Sequence, residues 1–249
     1  MQHEFSNKTK QLSVLLLSVL LIACASSASK KESADVYLQL GIRYLNMNKL
    51  ELAKTNLEQA LKKDSGNVKA HSALAFLYEK INRIDDAEDH YESALDLDPN
   101  DLGALNNFGR FLCDHGQQER GLAMLTQAIS APMNDKPWMA MTNAGRCQLE
   151  LKNRQGAEEN FRQALQIDPA YPPALLEMLK ISYEKHEYWA AKGYLERYLS
   201  VEQHSSETLW YAMQIERALG NEKMAAKYRT GLLEKFPLSN EAKKINPAP

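Results

Sequence analysis

Three cysteines carry most of the chemistry available to this chain. Cys24 closes the tetrapeptide Leu21-Ile22-Ala23-Cys24, which follows an apolar run over residues 12–22, with Lys8 and Lys10 upstream. The run is about half of the roughly 20 residues that a membrane-spanning helix needs. A basic start, a short apolar stretch and a small residue before the cysteine therefore read as a secretory signal, not a transmembrane helix. An exported chain matures in an oxidising compartment, where the remaining pair, Cys113 and Cys147, suggests a disulfide; two buried free thiols are the other reading. Two cysteines with no nearby histidine pair supply too few ligands for a metal, and no metal site is expected.

Little else in the chain has the spacing of a reactive centre. There is no Gly-rich phosphate loop, no paired-histidine helix motif and no Gly-x-Ser-x-Gly elbow. His71, His90, His115, His186 and His204 are scattered over the chain. The acidic run Asp85-Asp86-Ala87-Glu88-Asp89-His90 reads as the opening of a helix, where carboxylates suit the dipole, with Ala87 facing inward. The formal net charge of −2 becomes −3 once Lys8, Lys10 and Glu4 are removed with residues 1–23. Nucleic-acid binders are usually strongly basic, so that partner class is excluded. No cofactor, no small-molecule substrate and no enzymatic activity are expected.

Leu-Ile-Ala-Cys resembles the lipobox of bacterial lipoproteins. The resemblance implies removal of residues 1–23 and an N-acyl, S-diacylglycerol lipid on Cys24. At about 0.8 kcal/mol per buried methylene, one acyl chain binds a bilayer marginally and two or more hold firmly. Residues 24–33 are small and polar and read as a flexible lipidated tether spanning roughly 15–20 Å. Ala25 follows Cys24 where enteric-type lipoproteins kept in the inner membrane tend to have Asp, so the resemblance implies outer-membrane delivery on the periplasmic face.

The elements beyond the tether recur every 34 residues, and the period sets the fold. From Ala34, the residues Tyr37, Leu40, Gly41, Tyr44, Ala53, Leu57 and Ala60 occupy offsets 4, 7, 8, 11, 20, 24 and 27. His71, Leu74, Ala75, Tyr78, Ala87, Tyr91 and Ala94 fill the same slots from Val68, and the series continues from Leu102, Trp138, Pro172 and Ser206. Small residues at 8, 20 and 27 let two antiparallel helices, A and B, approach closely, while large residues fill the seam. Asp98-Pro99 and Asp168-Pro169 end B helices, since proline cannot continue the hydrogen-bond ladder. The pattern resembles the tetratricopeptide repeat. It implies an all-α fold, a right-handed α-α superhelix of six helix-turn-helix repeats over 34–67, 68–101, 102–137, 138–171, 172–205 and 206–239. No single repeat buries its apolar face alone, so neighbours must stack. Leu179 and Met213 depart from the small residue usual at offset 8. The third repeat is two residues longer than the others, through Ser130 to Pro137, which predicts a longer loop. The tail 240–249 offers at most one helical turn, leaving the sixth repeat to cap itself.

In tetratricopeptide proteins, offsets 2, 5, 9 and 12 of the A helices commonly line the concave face. Here that set includes Leu38, Ile42 and Leu45, then Phe76, then Asn106 and Arg110, then Arg146. The first repeat's face reads as an exposed apolar stripe, a partner site for an amphipathic segment; cover by residues 25–33 or by the second repeat is the other reading. Arg110 and Arg146 read as groove cations for a partner's carboxylate, or as partners of internal acids such as Asp114 or Glu150.

A narrower resemblance lies in the third and fourth repeats. Leu105-Asn106-Asn107-Phe108-Gly109-Arg110-Phe111-Leu112-Cys113, followed by Asn143-Ala144-Gly145-Arg146-Cys147, is similar to the type IV pilus biogenesis/stability lipoproteins, the PilF/PilW family of pilotins. It implies an outer-membrane lipoprotein that binds a pilus secretin subunit and promotes its localisation and multimerisation there. It also implies that Cys113 and Cys147 are bonded to each other, and their offsets, 12 and 10 on successive A helices, allow this. A lipoprotein adaptor for peptidoglycan synthesis or β-barrel assembly is the competing function.

Overall fold

The computed structural model describes residues 30–245. All elements among these residues are helices: α1 (30–46), α2 (Leu50–Lys63), α3 (Val68–Lys80), α4 (Ile84–Leu97), α5 (Leu102–Asp114), α6 (Gln118–Ser130), α7 (Pro137–Glu150), α8 (Arg154–Ile167), α9 (Pro172–Glu184), α10 (Tyr188–Leu199), α11 (Ser206–Ala218), α12 (Glu222–Lys235) and α13 (Asn240–Ile245). Odd-numbered helices up to α11 are the A helices, even-numbered ones the B helices. None of the described helices is long and apolar enough to cross a membrane. The chain divides into two compact units, Met1–Phe108 and Gly109–Pro249, with the boundary inside α5.

The hairpins form because each A–B seam is built from small residues against large ones. In the first unit Ala53, Ala60, Ala87 and Ala94 are fully buried, and Leu57 and Tyr91 fill the seam beside them. Tyr91 stacks on Phe108 at 5.3 Å between ring centroids. In the second unit Ala157, Phe161, Ala164, Leu175, Met178 and Ile181 make one core cluster, and Leu179, Ala191, Leu195, Ala212 and Ile215 make another. Leu179 and Met213 are both buried, so the last two repeats accommodate a large residue at offset 8. At Gly145 the approach is close: an added Cβ would stand 2.5 Å from the Phe161 ring.

Turns repeat as faithfully as the seams. Asp64, Asp98 and Asp168 end α2, α4 and α8, and each side chain accepts from the backbone N–H two residues on. Such Asx turns replace helix bonds lost at the terminus. Asn67, Asp101, Asn153 and Asn221 cap the following helices by accepting from backbone N–H groups. The six-residue stretch 131–136 between α6 and α7 is longer than the equivalent 98–101 between α4 and α5. Asn134 ties it down, donating to the Ala128 carbonyl at 2.7 Å.

Two boundary expectations are corrected. Residues 30–33 belong to α1, not to a flexible tether: Lys30, Lys31 and Glu32 favour helix, and nothing before the buried Ala34 interrupts it. At the other end α13 is longer than one turn, and Ala242, 2% exposed, packs with Leu209 and Leu232, so the tail itself caps the sixth repeat.

Candidate groove and relatives

The A helices of the first unit enclose a cleft of about 390 Å³ lined by Ile42, Leu45, Asn46, Lys69, Ser72, Ala73, Phe76, Asp101, Gly103 and Asn107. Its floor is apolar, with Phe76 37% exposed and Ile42 half-buried. The rim is polar: Asn46 and Asn107 offer amides, Lys69 a cation and Asp101 a carboxylate. The Ser72 hydroxyl, inside the cleft, is buried with no protein partner. Lys80 lies 5.3 Å over the Phe76 ring. Such an arrangement suits an apolar side chain on a segment whose backbone meets the rim amides.

Leu38 and Leu45 correct the expected stripe. They are 3% and 6% exposed, so neither is an open contact, although Leu45 forms part of the cleft wall. The reason is helical geometry. Offsets 5 and 12 lie one turn from offsets 1 and 8, and Ala34, Leu38, Gly41 and Leu45 make a single buried face. Conversely Leu40 is exposed, beside Val36 on the outer face of α1. Asn106 is half-buried and donates to the Asn107 side chain at 3.3 Å.

The second unit's A helices carry charge already matched to charge. Arg110 donates to Asp114 at 2.7 Å. Arg146 pairs with Glu177 of the next A helix at 2.9 Å, in place of Glu150. Lys180 bridges onward to Glu207 at 2.9 Å. Arg146 is therefore not an uncommitted groove cation, and Arg110 also has its carboxylate. Glu177, 8% exposed, became legible only in three dimensions because its partner lies 31 residues away.

Cys113 and Cys147 are joined by a disulfide, with Cα atoms 5.3 Å apart, linking α5 to α7. Cys24 lies outside the described residues. Among the described residues no group of three or more His, Cys, Asp or Glu could hold a metal ion. One contact was not read from the sequence: His71 and His90 meet across α3 and α4 with Nδ1 atoms 3.0 Å apart. Their offsets, 4 and 23, face each other within one hairpin. Burial pushes the His90 imidazole below its ordinary value, His71 pushes it further, and Asp86 and Asp89 oppose this.

The hairpins, their seams and their turns make this chain a tetratricopeptide repeat protein, and profiles described as tetratricopeptide repeat match residues 38–101, 90–123 and 140–171. Within that class it is similar along its length to the type IV pilus assembly protein PilF of Pseudomonas aeruginosa, 28% identical over 237 residues that cover 92% of this chain and 94% of that protein. The solved structure of Pseudomonas aeruginosa PilF superposes with a TM-score of 0.76 at 27% identity, covering 87% of this chain and 98% of that one. PilW, a widely conserved type IV pilus biogenesis factor, gives 0.75 at 28% identity, covering 85% and 97%.

Proposed function

We propose that this chain is a non-enzymatic pilotin of type IV pilus biogenesis, lipidated on Cys24 and held on the periplasmic face of the outer membrane. Its client is a subunit of the pilus secretin, whose delivery to that membrane and multimerisation it promotes. One observation carries the reading to a place on the molecule: the cleft of about 390 Å³ over Ile42, Ala73 and Phe76, in a chain similar end to end to PilF. The cleft has the apolar floor and polar rim of a site for a peptide segment. In the second unit Arg110 and Arg146, the expected groove cations, are already paired with Asp114 and Glu177, which favours the first unit as the client site.

The test is capture of secretin from detergent-solubilised envelopes by the lipidated protein and by Ile42→Glu/Phe76→Glu. Both side chains reach the surface, so the pair leaves the fold intact, as circular dichroism checks. Leu38→Glu is unsuitable, because it would bury a carboxylate without a partner. Secretin held by the wild type and lost by the double variant supports the site. Secretin in neither lane removes the pilotin reading.

A further inference from the structure

The first repeat keeps its stacking face open among the described residues. In the later repeats offset 3 holds Ala70, Ala104, Ala140, Ala174 and Thr208, none more than 2% exposed, and offset 7 is buried likewise. The preceding B helix covers them: Ala174 and Met178 of α9 share a core cluster with Ala157, Phe161 and Ala164 of α8. On α1 the same two offsets are Val36 and Leu40, 56% and 38% exposed. Met47 is exposed on the same side of the helix. The end of a repeat array is ordinarily polar, and this one carries large apolar side chains instead.

The neighbours at hand do not cover this face. Under cleavage before Cys24, residues 24–29 precede α1, and Cys-Ala-Ser-Ser-Ala-Ser has no large apolar side chain to lay over Val36 and Leu40. Head-to-tail stacking on another copy is closed off, because α13 already packs Ala242 against Leu209 and Leu232 at the opposite end. The charges of the face, however, match the face itself. Glu32, Val36, Leu40, Arg43 and Met47 follow one another at spacings of four, four, three and four, which is one side of a helix, and Asp35 borders it. Glu32, Asp35 and Arg43 are exposed, and none of them has an ion pair among the described residues. When two α1 helices lie antiparallel with Val36 opposite Leu40 of the copy, Arg43 falls opposite Ser33. It then stands between Glu32 and Asp35 of that copy, within about 3 Å of each along the axis. A parallel pair would set like charges together instead.

We propose that this face of α1 binds a second copy of the same chain, in a two-fold symmetric, antiparallel pair. Val36 and Leu40 of each copy close the apolar centre, and Arg43 of each meets the carboxylates of the other. One helix face is a smaller contact than stable free dimers bury. Two chains tethered six residues before α1 on one membrane would meet at high effective concentration, which favours a contact of this size. The proposal rests on cleavage before Cys24, not on the identity of the client.

The test is cross-linking in cells that make the full chain with Gln39→Cys. Gln39 is exposed beside Leu40, and with Cys113 bonded to Cys147 and Cys24 acylated as proposed, the new thiol is the free one. A short bismaleimide should give a dimer of this chain in the membrane fraction, and the exposed, distant site of Lys223→Cys should not. Leu40→Glu, at a position already exposed, should keep the fold and cut the dimer about tenfold or more by setting carboxylates against each other. Arg43→Glu should cut it too, and the swapped variant Glu32→Arg/Asp35→Arg/Arg43→Glu should restore it. Ile42→Glu/Phe76→Glu should leave it unchanged. No dimer, equal linking at Lys223→Cys, or no recovery in the swapped variant overturns the proposal. A linked product of another mass overturns it in favour of a foreign partner. A thiol that an impermeant maleimide reaches only after detergent overturns it in favour of the bilayer. Linked dimer in the soluble fraction would uphold the pair and remove the lipid anchor.

Discussion

At offset 15 of every repeat the backbone enters the left-handed region: Asn48, Asn82, Gly116, Lys152, His186 and Gly220 have φ between 55° and 85°. The A–B turn requires this, and Asn or Gly meets it cheaply. Lys152 and His186 do not, because their Cβ atoms crowd the following carbonyl. Nothing about a lysine announces a left-handed turn, and the neighbouring Asn153 caps α8. Lys152→Gly should therefore stabilise the protein by about 0.5–1 kcal/mol, the relief of left-handed strain less the entropy glycine adds to the unfolded chain. A raised denaturant midpoint at unchanged slope would show it, and a lowered midpoint would refute it. The opposite holds at Gly145, where the added methyl of Gly145→Ala meets a fully buried Phe161 ring. Overpacking of this kind costs typically about 1–3 kcal/mol, and the same titration reads it.

At the scale of helices, two contacts between elements make separable predictions. The disulfide ties α5 to α7 across the irregular 131–136 loop and closes a separation of 34 residues. Restricting the unfolded chain over that length stabilises by roughly 3–4 kcal/mol in the chain-entropy model. Reductant should lower the melting temperature of the wild type and leave a Cys113→Ala/Cys147→Ala variant, already lower, where it is; an unchanged wild-type curve, with both thiols alkylated before reduction, would contradict the link. The α3–α4 contact predicts a pH effect. His90 binds its proton more weakly in the folded chain, through burial first and His71 second. The unfolded chain therefore binds more protons as pH falls, so stability is full above the ordinary imidazole value near 6.5 and declines below it. His204 titrates in the same direction, through burial and then Lys235, so the informative quantity is the difference between wild type and His90→Asn. That difference should shrink from pH 7 to pH 5; a constant difference would exclude the pair. Periodicity made the hairpins legible, because offsets 8, 20, 24 and 27 bury the same kind of residue in successive repeats. It could not resolve the groove, because offsets 5 and 12 sit on the margin between the buried face and the open one. Leu38 and Leu45 fall inside that margin while Ile42 and Phe76 stay outside it. Nor does any repeat pattern foretell Arg146–Glu177, which joins two repeats through side chains long enough to choose among several acids.

For the whole molecule, the proposed anchor and the proposed client site stand at the same end of the chain. Cys24 precedes the described start of α1 by six residues, a reach of at most about 20 Å when extended. A client seated over Ile42 and Phe76 would thus be carried close to whatever surface holds the lipid. The net charge from Cys24 onward is −3, and no described helix is long and apolar enough to span a bilayer. Under the proposed lipidation of Cys24, acyl chains at about 0.8 kcal/mol per buried methylene would supply the attachment. Cys24→Ser, exported through an otherwise unchanged signal, should keep the helical spectrum, the melting temperature and secretin capture of the wild type while moving from the membrane pellet to the soluble periplasmic fraction. Secretin multimers resistant to detergent should fall with it, and the monomer should accumulate away from the outer membrane. Fractionation with immunoblotting of the secretin reads both. Normal multimers in the outer membrane with a soluble Cys24→Ser protein would show that binding alone suffices and that carriage is not the mechanism. Loss of secretin capture by the same variant would place the lipid, or the residues beside it, within the binding site itself.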